Sequence, residues 1–294
     1  MMDREREALE LCESGLQHMW KGDIDSAIGA YDRAAAIAVS DETRELIMIR
    51  KAEALIASER DGSEIAALPG IVMRRRSPRH VYLAAGTLMR RFVENDDRRK
   101  AIFYGEIARG AATELGEPMS RASVLNHLGI TLIADSQFAP AIEVLNEALE
   151  AVDQLGNARD EAHSLRAVIL GNLGGAQILS GDVHNGIRVL ENVLPDMDEQ
   201  YLIAEIYLDL CFGYLELERY DIAELYGRRA LELATVKRQI RNGNHLLGEI
   251  CLRTKRYEEA DGFFDVVAGY YPDFKNVKQL LVAVDLCAVV NWKA

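Results

Sequence analysis

Tryptophan occurs twice in 294 residues, proline six times and cysteine four times. Each scarcity excludes something. With so little proline, long stretches are free to be helical, because proline removes an amide donor and clashes with the preceding turn. The cysteines, Cys12, Cys211, Cys251 and Cys287, form no C-x-x-C pair, which excludes a dithiol redox motif and a zinc ribbon. Three of them fall inside apolar helical patterns, so the expected state is the buried free thiol of a reducing, cytoplasmic compartment. No run approaches the ~20 apolar residues that span a bilayer. The nearest, Leu280 to Val290, is short and interrupted by Asp285. The segment Met1 to Glu13 carries Asp3, Glu5, Glu7, Glu10 and Glu13 without an apolar core, which is not the pattern of a secretory leader.

Catalytic signatures are missing as well. There is no H-E-x-x-H, no G-x-S-x-G and no phosphate-binding P-loop. The run Gly171-Asn172-Leu173-Gly174-Gly175 is glycine-rich, but it lacks dinucleotide-binding spacing and follows no strand; close helix contact explains it better. Glu143, Glu147 and Glu150 describe an exposed helix stripe rather than a cleft. An enzyme is therefore the weakest functional reading, and nothing calls for a cofactor or a metal.

What is present is helix-forming material. Hydrophobic residues, mainly Ala, Leu and Ile, make up 49% of the chain and charged residues 28%. The net charge of −13 is segregated. Residues 1–70 hold 8 Lys/Arg and 15 Asp/Glu, residues 71–110 hold 10 and 4, residues 111–227 hold 5 and 20, and residues 228–294 hold 11 and 8. The acidic middle attracts basic partners and repels nucleic acid. The basic run of Arg74, Arg75, Arg76, Arg79, Arg90, Arg91, Arg98, Arg99 and Lys100 is positioned to touch phosphate, but aromatic stacking residues are sparse there. A solvated loop and helix face balancing the acidic block is the favoured reading.

The pattern that carries the fold is a recurrence. Small residues fall at Gly15, Gly129, Gly174 and Gly248. Twelve positions on stand Ala27, Ala141, Gly186 and Ala260, and four further on Tyr31, Leu145, Leu190 and Phe264. Glycine and alanine let two helices approach closely, and the bulky residue fills the space beyond them. Repetition of this kind marks stacked helical hairpins. Seven hairpins are expected, at about 7–40, 42–77, 80–115, 119–155, 160–197, 201–236 and 239–272, forming a right-handed all-α solenoid over 1–272. The second is degenerate: Ala54 and Ala66 keep the spacing, but Pro69-Gly70 predicts a broken helix and then a loop through Ser77-Pro78. The third is weaker still, opened by Gly86, with Ala101, Gly105 and Ala108 lining one face. Leu115-Gly116-Glu117-Pro118 ends it, glycine stopping one helix and proline starting the next. A helix from about Phe274 to Trp292, within 273–294, is expected to cap the last pair.

These residues resemble the tetratricopeptide-repeat (TPR) pattern W-x2-L-G-x2-Y…A-x3-F-x2-A-x4-P. No repeat keeps the tryptophan, and Pro272 and Pro78 alone match the closing proline. The distance from Gly129 to Gly174 is 45 residues, beyond the family's period of about 34. Longer helices joined by Leu-Gly turns (Leu115-Gly116, Leu155-Gly156) are similar to the bacterial regulatory branch, the MalT-type activators and Rap-type pheromone-responsive phosphatases.

The resemblance implies a protein- or peptide-binding scaffold whose first helices line a concave surface. The alternative is a sensor that alters a partner when ligand binds. It places ligand-facing side chains at Asn126, His127 and Ile130, at Asn172, at Glu205 and Asp209, and at Asn242, His245, Glu249 and Arg253. Asn126 and Asn172 also read as solvated polar positions, Glu205 and Asp209 as a solvated acidic face, and the two histidines as satisfied or exposed rather than catalytic. Trp20, Tyr207, Tyr214 and Tyr226 read as packing residues. In family members that clamp chaperone C-terminal tails, Lys, Asn, Asn, Lys and Arg bind the carboxylate. Here Asn172 matches one asparagine, whereas Asn126, Ile130, Glu205 and Asp209 replace the others. The expected partner is therefore a neutral or basic segment rather than an acidic tail.

Overall fold

A computed structural model describes residues 2–155 and 160–283 of the chain. Every regular element among them is helical. Cys287, Gly156 and the expected capping helix beyond Ala283 lie outside the described residues.

The chain divides into two compact units, Met1–Thr131 and Leu132–Ala294. In the first, α1 (Met2–Trp20), α2 (Ile24–Ile37), α3 (Asp41–Ala57), α4 (Ser63–Arg74), α5 (Pro78–Glu94) and α6 (Arg98–Leu115) follow in order, with most of α7 (Pro118–Ala134). The second contains α8 (Phe138–Asp153), α9 (Asp160–Leu179), α10 (Val183–Val193), α11 (Gln200–Glu216), α12 (Tyr220–Leu233), α13 (Lys237–Arg253), α14 (Tyr257–Ala268) and α15 (Val277–Ala283). A 3-10 turn, Leu194–Asp196, extends α10. Helices pack as hairpins, α1 on α2, α5 on α6, α9 on α10, α11 on α12 and α13 on α14.

The small residues do what their spacing implies. A side chain on Gly15 would run into the Tyr31 ring of α2. A Cβ on Gly248 would lie 2.5 Å from Phe264 of α14, and one on Gly186 would lie 2.6 Å from the Gly174 carbonyl of α9. Backbone meets backbone at that last point, which no larger residue permits. Tyr31, Leu190 and Phe264 are fully buried beyond these contacts.

Hairpin turns share one construction. Gly22, Glu59, Asp96, Ser136, Gly181, Glu218 and Lys255 all adopt positive φ. The residue after each returns a hydrogen bond to the carbonyl five positions back, as in Asp97 to Phe92 (2.9 Å), Arg219 to Tyr214 (2.9 Å) and Arg256 to Cys251 (2.8 Å). This is the Schellman arrangement that satisfies a helix's last carbonyls.

Two expectations need correction. Pro69 does not break its helix: α4 runs unbroken from Ser63 to Arg74 with the proline inside. A proline in a helix interior costs about 3 kcal/mol. Leu68, Ile71 and Val72 are buried from the same helix, and a buried aliphatic side chain contributes about 1.5–3 kcal/mol, so their burial outweighs the defect. Trp20 is not a packing residue. It ends α1 at the hairpin turn and is 75% exposed.

Candidate binding face

Within each unit the first helices of successive hairpins lie side by side, α1 against α3 and α3 against α5 in one, α9 against α11 and α11 against α13 in the other. All ten candidate residues sit on first helices: Asn126, His127 and Ile130 on α7, Asn172 on α9, Glu205 and Asp209 on α11, and Asn242, His245, Glu249 and Arg253 on α13.

Their surroundings differ from residue to residue. In the second unit Glu205 is half-buried. It accepts 2.9 Å from Arg238 Nη2 and 2.8 Å from Gln239 Nε2, while Gln239 also donates to the Tyr201 carbonyl at 3.0 Å. Asp209 is 3% exposed, and Asn242 and Glu249 are buried as well. Neither Glu205 nor Asp209 is thus part of a solvated face, because Asp209 is buried and a guanidinium meets Glu205. Glu249 pairs with Arg253 one turn on (3.0 Å), and Asn242 Oδ1 accepts from Arg241 Nε at 3.0 Å. His245 turns toward the second helix of its hairpin, its ring 6.5 Å from that of Phe264. Tyr207, Tyr226 and Tyr214 do pack together, with centroids 5.7 Å apart in each successive pair. Arg238, Gln239 and Tyr201 were not among the sequence candidates. Their signal was the turn-to-turn spacing of Arg238 and Gln239 before Asn242, which the repeat pattern does not mark.

In the first unit Asn126 is buried, while His127 and Ile130 are exposed. His127 lines a hollow that repeat matching did not anticipate. Arg50 and Glu53 of α3, Tyr82, Gly86, Thr87 and Arg90 of α5, and Ser123 of α7 line it with His127. Its volume is about 210 Å³. Glu53 is the hub: Arg50 Nη1 donates to Oε2 at 2.8 Å and Arg90 Nη2 to Oε1 at 3.2 Å. Thr87 Oγ1 lies 3.2 Å from Glu53 Oε1 and 2.8 Å from the Leu83 carbonyl, one proton serving the two. His127 Nδ1 donates to the Ser123 carbonyl (2.8 Å), since that oxygen only accepts, and this leaves Nε2 as the second ring nitrogen available for bonding. Burial pushes the Tyr82 phenol up, so it stays a neutral hydroxyl. A second hollow of about 400 Å³ adjoins the first at Arg50, floored by Leu9, Cys12, Leu16 and Leu46 and rimmed by Arg6, Glu10, Glu13 and Arg79.

Most of the basic run is internally balanced. Arg74 pairs with buried Glu45 (2.8 Å), Arg75 with Glu114 (2.8 Å), Arg76 with Asp41 (3.3 Å), Arg91 with Asp61 (2.9 Å) and Lys100 with Asp97 (2.7 Å). Cys12, Cys211 and Cys251 are free and buried, and burial raises all three thiols, Cys12 to about 11, which makes them poor nucleophiles. Among the described residues no group of three His, Cys, Asp or Glu is placed to hold a metal ion, and no helix is long and apolar enough to cross a membrane.

Known structures share this arrangement of helices. A tetratricopeptide repeat protein from Parabacteroides merdae superposes with a TM-score of 0.57 at 14% identity, covering 94% of this chain and 98% of that one. The fold is of the tetratricopeptide-repeat type. NprR in complex with its cognate peptide NprX matches this TPR-type chain with a TM-score of 0.70 at 14% identity, over 98% of this chain and 85% of NprR. A Rap protein complexed with Competence and Sporulation Factor matches at 0.66 and 14% identity, over 97% of this chain and 79% of that one. No protein-family model and no curated protein matches the sequence.

Proposed function

We propose that this TPR-type protein binds a peptide segment of a partner along its rows of first helices. The supporting observation is the pair of adjoining hollows that open on α1, α3, α5 and α7, on a fold that in NprR accommodates a peptide. First helices lying side by side offer polar side chains at helical spacing, which suits an extended or helical segment. The likeness to NprR and Rap, both solved with a peptide or signalling factor, favours a second reading in which the bound segment changes what the protein does to a partner. Neither reading uses catalysis, and the protein is proposed not to be an enzyme.

The charge preference follows from the second unit. It holds 15 Lys/Arg against 26 Asp/Glu, and Arg238 and Arg253 are engaged by Glu205 and Glu249. A tail of several carboxylates meets that acidic excess, so neutral or basic segments are preferred on that face. Of the candidate residues, Asn172, Glu205, His245 and Arg253 are proposed to line it, because Asp209, Asn242 and Glu249 are buried.

An affinity pull-down with mass spectrometry tests this reading, run with the wild-type chain and with the double variant Asn172→Ala/Glu205→Gln beside it, both positions being partly exposed. Partners retained by wild type and lost from the variant are the expected result. Identical partner sets from both baits would remove the second-unit face from the proposal. A micromolar Kd for a polyacidic C-terminal tail on that face would remove the charge preference.

A further inference from the structure

The hollow between α3, α5 and α7 combines three features that packing alone does not require. The first is Gly86. A glycine inside a helix costs roughly 0.5–1 kcal/mol relative to alanine. At Gly15, Gly186 and Gly248 a neighbouring helix explains it, but a Cβ on Gly86 meets nothing within 4 Å although the residue is half-buried. Its missing side chain is part of the opening.

The second feature is charge. Arg50 and Arg90 share the single carboxylate of Glu53. The Arg50 side chain is 18% exposed and that of Glu53 13%, whereas Arg90 is 52% exposed, so the excess positive charge sits at the open side of a cluster whose inner pair is shielded from solvent. Glu53 already accepts from Arg50, Arg90 and Thr87. Arg50 has five N–H groups, and one of them goes to Glu53. One more carboxylate would make the cluster neutral, and it would find guanidinium donors together with the Tyr82 hydroxyl at the wall. Several carboxylates would not fit, because Glu10 and Glu13 stand on the rim of the adjoining hollow.

The third feature is that adjoining hollow. Leu9, Leu16 and Leu46 give it an apolar floor, and Arg50 belongs to both walls. A segment that places one side chain in the charged hollow brings its near neighbours over the apolar one.

We propose that the α3–α5–α7 hollow is a subsite for a single Asp or Glu side chain of a bound peptide, and that the α1–α3–α5 hollow takes a bulky aliphatic side chain of the same segment. The inference rests on the peptide-binding reading and adds to it a recognition rule. It concerns an isolated acidic residue, and so differs from the polyacidic tail that the second unit disfavours.

The full-length chain is screened against a phage-displayed library of random decapeptides. Enriched sequences are expected to carry one acidic residue with Leu, Ile, Met or Phe a few positions away. The best of them is synthesised with an amidated C-terminus, and its Kd is measured by fluorescence anisotropy for wild type, Gly86→Leu and Arg90→Gln. The measurement is repeated with the acidic residue changed to its amide. Gly86→Leu and the amide peptide are each expected to weaken binding about tenfold or more, the loss typical of a charge-assisted contact. Arg90→Gln weakens the acidic peptide and leaves the amide peptide unchanged, a coupling that a merely structural arginine does not produce. The melting temperature of Gly86→Leu stays level or rises, because the new side chain enters open space; should that variant fail to fold, Arg90→Gln alone decides. Enriched peptides without an acidic residue, or an amide peptide that binds as well as its parent, overturn the subsite and leave the peptide-binding reading intact. Recovery of no peptide at all overturns both.

Discussion

Glycine serves two opposite purposes in this chain. At Gly248 a methyl group would overlap the Phe264 ring, with the nearest ring carbon 2.5 Å away, whereas at Gly110 on α6 it would meet nothing. Gly248→Ala is therefore expected to destabilise the protein by about 1–3 kcal/mol through overpacking. Gly110→Ala is expected to stabilise it by about 1 kcal/mol, the difference in helix propensity. Urea denaturation of the two variants checks both signs. The repeat spacing to Ala260 and Phe264 marks Gly248 in sequence and leaves Gly110 unmarked, and the placement of the opposing helix supplies the physical reason. The same holds at the candidate site. Glu205 and Asp209 were legible as acidic positions on a first helix, but the guanidinium that meets Glu205 comes from the start of α13, thirty-three residues away. Gly86 was legible as a repeat glycine, and its emptiness was not.

Among elements, the clearest joint is Glu5 of α1 at the start of α3. Its carboxylate accepts from the hydroxyls of Ser40 and Thr43 and from the amides of Val39 (2.8 Å) and Ser40 (3.2 Å). Ser40 is itself the N-cap of α3, accepting from Thr43 N at 3.0 Å. The Ser40 hydroxyl first, then Thr43 and the Val39 amide, hold the Glu5 pKa down at about 2. A carboxyl whose folded pKa lies below its unfolded value stabilises the fold above the unfolded pKa and loses that contribution as pH falls through the folded one. Wild type is thus expected to be more stable than Glu5→Gln at pH 6, with the gap narrowing steadily from about pH 4.5 toward pH 2. Chemical denaturation across that range measures it; a gap independent of pH would refute the role. The hairpins themselves were legible from Gly15, Gly174 and Gly248. Their turns were less so: Gly22 and Gly181 announce a left-handed residue, but Glu59, Asp96, Ser136, Glu218 and Lys255 adopt it without glycine, because the Schellman bonds of the turn enforce it. Pro69 misled for a related reason, its local penalty being smaller than the burial of its neighbours.

On the scale of the whole molecule the two units differ in charge. The first holds 19 Lys/Arg and 21 Asp/Glu, close to balance, and the second carries nearly all of the net −13. On the two proposals above, a partner segment is read differently by each, one acidic residue suiting the first and neutral or basic residues suiting the second. The scaffold and sensor readings part at this scale too. Small-angle scattering of the full chain, alone and saturated with a selected peptide, is expected to give the same radius of gyration if the protein is a scaffold. Compaction on binding would favour the peptide-responsive regulator, because a ligand moves a conformational equilibrium only by binding one state better than another.

Sequence by itself determined that the chain is all-helical and built from hairpins, since helix periodicity and close-contact small residues are local and recur. It also marked first helices as the faces that carry polar side chains. Which of those side chains are exposed was decided only in three dimensions. Asp209 and Glu249 were enclosed, Glu205 was neutralised by Arg238, and Arg50, Glu53, Gly86 and Arg90 were gathered from two degenerate repeats into one hollow. The reason is physical: burial and charge pairing depend on what the neighbouring helix presents, thirty or more residues away, and a periodic pattern records the spacing of a contact without recording its partner.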